Sequence, residues 1–130
     1  MIRNHEELDV YTLAFDAAMN IFEASKHFPR EEKYSLTDQI RRSSRSVWGN
    51  IAEAWRRRRC QAAFVSSLNN AEAEAAETQT WIKFALKCAY WEPEEAGELY
   101  KTYNHIIGKL VNMIRNPHPW LLQQKGEKAS

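Results

Sequence analysis

Glycine and proline are scarce in this chain. Four of each in 130 residues leave little material for tight turns, which argues for a few long elements over many short strands. Cysteine is nearly absent. Cys60 and Cys88 stand 28 residues apart with no CxxC pair, so neither a zinc site nor a disulfide framework is indicated, and two free thiols fit a cytoplasmic protein. No apolar run approaches the roughly 20 residues of a membrane span. The opening MIRNHEELDV has no apolar stretch of the kind a signal peptide carries. The net charge is only +1, so no single sign of charge dominates the whole chain.

Catalytic signatures are missing too. There is no HExxH, no P-loop glycine pattern and no GxSxG. A di-iron bundle needs Glu-x-x-His pairs on facing helices. Here Glu23 and His27 are four apart without a second pair, and His5, His105 and His118 are scattered. Cys60 lies beside arginines, an environment that can activate a thiol, but it has no sequence partner and is expected to be inert. No metal, no cofactor and no catalysis are expected.

What is present is helical patterning. Hydrophobic residues make up 44% and charged residues 27%, values of an ordinary globular domain, and 130 residues suffice for one core. Leu8, Tyr11, Phe15, Ala18 and Phe22 recur at steps of three and four, predicting a first helix over 6–27 with that stripe buried. It stops before Pro29, which disfavours helical geometry at Phe28. A second helix is predicted over 36–55, with Ser35 as N-cap, a buried stripe of Leu36, Ile40, Val47, Ile51 and Ala54, and a second stripe of Trp48, Ala52 and Trp55. So wide an apolar arc calls for two contacts, one of them with another subunit. The third helix is predicted over 61–89, buried through Phe64, Leu68, Ala71, Ala75, Ile82 and Leu86. The fourth opens at Pro93, a residue suited to the first helical position, and buries Leu99, Tyr103, Ile106, Leu110 and Ile114 until NPHP ends it. Four long helices with short connections predict an all-α, antiparallel up-and-down four-helix bundle over 1–116 and a tail over 117–130.

Charge is segregated along the chain. Basic and acidic residues number two and five in 1–29, nine and four in 30–59, two and seven in 60–100, and five and one in 101–130. The basic excess centres on the second helix, where seven arginines (Arg41, Arg42, Arg45, Arg56, Arg57, Arg58 and Arg59) fall within 19 residues. Four consecutive arginines inside a helix would circle it, since each residue turns by about 100°, so the run is expected to straddle the corner after helix two. Arg41 and Arg45 share a face. Arginine binds phosphate bidentately and stacks on bases, and Trp55 offers a further ring. Two readings follow: a phosphate-binding surface, or arginines paired with carboxylates such as those of helix three, with Trp55 in the core. Asn50 and Glu53, one turn apart beside the apolar stripe, are read as a buried polar network that fixes register.

The stretch FPREEKYSLTDQIRRSSRSVWGNIAEAW (residues 28–55) resembles the signature of a bacterial four-helix-bundle family encoded by intervening sequences inside 23S ribosomal RNA genes. Phe28, Pro29, Glu31, Glu32, Leu36, Gln39, Ile40, Arg41, Arg42, Ser46, Asn50, Ile51, Ala52 and Glu53 carry the match. Glu77 to Gln79 and Ile107 to Ile114 resemble the later helices. Ser35, Ser43 and Ala54 depart from the usual Gly, Ala and Gly, Trp48 stands where proline is common, and Cys60 where a capping Ser or Thr is usual. The resemblance implies a ring-like homopentamer, with kinship to accessory proteins of diversity-generating retroelements, which partner a reverse transcriptase and bind nucleic acid. The expected function is non-catalytic: a homo-oligomer that binds RNA or DNA through its arginines, with Trp48 and Trp55 as candidate interface residues. The alternative is a scaffold that binds another protein, such as a reverse transcriptase.

Overall fold

The computed structural model of the protein describes residues 8–122. Four long helices make up most of it: α1 (Asp9–Ser25), α2 (Leu36–Arg56), α3 (Gln61–Lys87) and α4 (Pro93–Arg115). Single 3-10 turns at Arg30–Glu32 and His118–Trp120 complete the regular structure, and no strand occurs among the described residues. Each helix packs on its chain neighbours, and α4 returns to pack on α1. One hydrophobic cluster fills the space between them.

The expected helices form close to where spacing places them. Pro93 is the first residue of α4, with Glu94 and Glu95 in its first turn beside the positive helix end. The start expected at Glu6 lies outside the described residues. α1 ends at Ser25 rather than His27, and Phe28 instead turns inward against Tyr90 and Trp91. α3 ends at Lys87, because Ala89 adopts φ 61. That left-handed residue lets the Tyr90 N–H reach the Ala85 carbonyl and the Ala89 N–H reach the Leu86 carbonyl, a helix stop usually built on glycine.

One face differs from expectation. The aromatic stripe of α1 is not its core side. Val10, Ala14, Ala17 and Ile21 are buried, whereas Phe15 is 46% exposed and Tyr11, Ala18 and Phe22 are only half-buried. The true core face lies about 100° around the helix. It uses two alanines, which let α1 approach its neighbours closely. Met113 replaces Ile114 as the last buried residue of α4, and Leu86 is half-buried.

Ser35 does not cap α2 with its own oxygen. Its hydroxyl donates to Glu32 Oε1 (2.6 Å), and that same oxygen accepts the Leu36 N–H (3.3 Å). The other oxygen of Glu32 accepts the Tyr90 hydroxyl at 2.9 Å. Three donors hold the Glu32 carboxyl below its ordinary pKa, Ser35 most, then Tyr90 and Leu36. Donating to that carboxylate leaves the Tyr90 pKa pushed up to about 12. One carboxylate thus starts α2 and ties it to the loop after α3.

Polar pins also fix how the helices meet. Thr78 donates to Ser43 at 2.8 Å, both fully buried between α2 and α3. Gln79 reaches from α3 to the Asn104 side chain (2.8 Å) and the Tyr100 carbonyl (3.2 Å) on α4. Lys109 of α4 pairs with Asp9 of α1 at 2.6 Å and holds its carboxyl below the usual value.

Candidate nucleic-acid interface

The seven arginines fall into three environments. Arg41 and Arg42 are consecutive, so they leave α2 about 100° apart. Arg42 turns to α3, where Nη1 lies 3.4 Å from Glu74 Oε1 and Nη2 pairs with Glu77. Glu77 also accepts the Trp81 indole N–H at 3.1 Å. Burial works against the Arg42 charge, but Glu77 and Glu74 outweigh it and raise its pKa. The arginine–glutamate pairing expected under the second reading is therefore real at Arg42, whose charge is compensated within the chain.

Arg41 turns the other way, to α1. Its Nε donates to Ser25 Oγ at 2.7 Å, and its guanidinium lies 4.9 Å from the centre of the Phe22 ring. Arg45, one turn on, lies 5.7 Å from the same ring. The expectation that these two share a face holds. Neither has a carboxylate partner among the described residues.

The run Arg56 to Arg59 sits at the corner, with α2 ending at Arg56 and Cys60 preceding α3. Trp55 is 5% exposed and belongs to the core. The Arg58 guanidinium covers it, 3.5 Å from the ring centre, while Arg58 Nε donates to the Trp55 carbonyl at 2.7 Å. A ring buried beneath Arg58 is neither an interface residue nor a stacking platform for a base, which corrects both expectations for Trp55. The Leu122 N–H donates to the Arg58 carbonyl (3.1 Å), and Trp120 and Leu121 pack on the core, so the chain after α4 fastens this corner.

Charge on Arg56, Arg57 and Arg58 is only weakly compensated among the described residues. Arg57 meets Glu53 at 3.5 Å and Ser67 at 3.5 Å, with both ion-pair partners about half exposed. Arg58 has no carboxylate partner among the described residues, and burial together with the nearby Arg56 charge lowers its pKa. Arg56 is exposed and makes no hydrogen bond or ion pair among the described residues; Arg59 is exposed as well. The first turn of α3 adds no acidic side chain, and Cys60 supplies no cap.

Asn50 and Glu53 do not form the expected buried network. Asn50 is half-buried and donates to the Ser46 carbonyl (2.8 Å) and hydroxyl (3.1 Å) of its own helix. Glu53 is half-exposed at the surface and, among the described residues, pairs only with Arg57. Neither reaches another helix. Trp48, half-buried, lies 5.4 Å from Tyr11 and 5.8 Å from Phe15. With Phe15 at 46% and Met19 at 43% exposure, the apolar surface around Trp48 is built mostly by α1. That contribution is hidden in the sequence, where the α1 aromatics read as core.

No group of three or more His, Cys, Asp or Glu is placed to hold a metal among the described residues, and no helix there is long and apolar enough to cross a membrane.

These features define a small all-helical protein whose basic surface is concentrated on one helix and the corner after it. The chain belongs to the 23S rRNA-intervening sequence protein family, whose profile matches residues 6–112. A solved structure is similar over 82% of this chain and 96% of its own, with a TM-score of 0.74 and 28% identity. It is a protein of unknown function from the S23 ribosomal protein family of Bacteroides thetaiotaomicron VPI-5482. Comparison with curated proteins gives no match.

Proposed function

We propose that the protein is a non-catalytic homo-oligomer that binds nucleic acid through the phosphate backbone. Its helices run up and down as an antiparallel bundle, and its copies close the ring of five that the family resemblance implies. The observation that carries the reading is the corner: Arg56 and Arg58 stand two residues apart where α2 ends, and neither has a carboxylate partner among the described residues. Packing alone does not explain uncompensated cations held side by side, whereas a polyanion supplies the missing charge. Arg56 and Arg58 are the principal contacts, Arg57 contributes after releasing Glu53, and Arg59 extends the run. Arg42 is excluded because Glu74 and Glu77 already occupy it. Repetition around an oligomer makes weak single contacts additive.

Fluorescence anisotropy with labelled RNA and DNA across a salt series tests this. Binding should weaken steeply with salt, and replacing Arg56 and Arg59 by Gln should lower the slope by about one for each phosphate released. An absence of binding at about 50 mM salt, or binding insensitive to salt, sinks the proposal.

A second reading, a scaffold for another protein such as a reverse transcriptase, draws on the exposed Phe15 beside Trp48 and the exposed Met19 one turn further along α1. It becomes the better account if the protein assembles yet ignores nucleic acid.

A further inference from the structure

Two sides of α1 carry complementary surfaces. On the side toward α2, Phe15 stands exposed against Trp48 with the exposed Met19 one turn further along α1, and Arg41 and Arg45 lie over Phe22 without carboxylate partners among the described residues. On the side toward α4 runs an open groove of about 850 Å³. Five glutamates line it, Glu23, Glu92, Glu94, Glu95 and Glu98, over a floor that includes the indole of Trp91. Only Glu23 has an ion-pair partner among the described residues, Lys26.

The two surfaces also match in height. Phe22 is the ring beneath Arg41 and Arg45, while Asn20, Glu23 and Ala24 from the same turn of α1 form a wall of the groove. Phe22 and Glu23 are consecutive, so their side chains leave the helix about 100° apart. The cationic seam and the acidic groove therefore sit at one level, about a quarter-turn from each other.

We propose that the α1–α2 seam of one copy docks into the α1–α4 groove of the next. This deepens the homo-oligomer reading above and rests on it. Arg41 and Arg45 meet the glutamates of the neighbouring copy, and the exposed apolar side chains beside them are covered. The contact is heterologous, because the two surfaces differ. A shared level removes axial drift, and two faces about 100° apart turn each copy by about 80° when they meet, which suits a small ring of roughly four or five copies instead of a filament.

Charge reversal tests the pairing, with size read by sedimentation velocity at about 50 mM salt, where screening is modest. Arg45 and Glu98 both reach the surface, so Arg45→Glu and Glu98→Lys are expected to keep helical content, with melting temperature falling only as far as lost assembly lowers it. Arg45→Gln and Glu98→Gln serve as milder versions. Each reversal alone should weaken assembly by about tenfold or more. Both in one chain should restore it, and an equimolar mixture of the two variants should restore it only in part, because a ring of five cannot alternate them throughout. A monomeric wild type contradicts the homo-oligomer reading and the pairing together. An oligomeric wild type whose size neither reversal changes overturns the pairing alone. So does loss of assembly by both reversals without restoration in the combined chain.

Discussion

Arg41 and Arg42 are neighbours in sequence and opposites in surroundings. Arg42 faces α3 and is held by Glu74 and Glu77. Arg41 faces α1, where it meets a serine hydroxyl and the Phe22 ring but no carboxylate. The α2–α3 side satisfies its polar groups within the chain, as the buried Ser43–Thr78 bond also shows. The α1–α2 side and the arginine corner leave positive charge for something outside. Charge compensation, more than the count of arginines, separates residues that hold the fold from residues available to a partner.

The closed side should break most readily. Ser43→Leu forces a large side chain into a fully buried site and removes the hydroxyl that Thr78 bonds. It should cost about 2–3 kcal/mol, read as a lower denaturation midpoint. The opposite test removes a polar group that the fold leaves unsatisfied. Tyr103 is fully buried, its hydroxyl has no partner among the described residues, and burial raises its pKa far above the usual tyrosine value. Tyr103→Phe should therefore stabilise by about 1 kcal/mol. An unchanged or lower melting temperature would show that the hydroxyl has a partner after all.

Arginine substitutions sharpen the comparison directly. Arg42→Gln should cost about 0.5–1 kcal/mol, a modest value because the pair is partly exposed. Arg45→Gln should cost less than about 0.5 kcal/mol, and its effect should appear in assembly. Equal losses of stability would erase the distinction. The smallest effect concerns acid. The Glu32 pKa is lowered in the fold, so its contribution is present above the ordinary 4.5 and is lost as pH falls through the depressed value. Glu32→Gln should flatten the fall of stability below pH 4.5 relative to wild type, seen in melts across that range.

The helices are legible in the sequence because spacing, Pro29, Pro93 and the NPHP stop act locally. The α1 face is not, because ranking by size favours Phe15 and Phe22 over Ala14 and Ala17. Close approach of helices needs the small side chains, and a sequence of one chain does not show which neighbour demands it. The corner follows from helix periodicity alone. Arg42's pairing with α3 glutamates is legible as one of two options, since both signs of charge are visible but their register is not. The Asn50 and Glu53 network fails because a place beside an apolar stripe does not guarantee burial. The tie from Glu32 to the loop after α3 leaves no local signal, because Tyr90 lies 58 residues away.

The most direct test sets Arg56→Gln beside Arg42→Gln, with RNA affinity at low salt and thermal stability measured on the same samples. The account predicts a crossed result: Arg56→Gln weakens binding and leaves stability intact, while Arg42→Gln lowers stability and leaves the affinity of the folded protein intact. Equal loss of affinity in both variants would contradict it, as would no loss from Arg56→Gln.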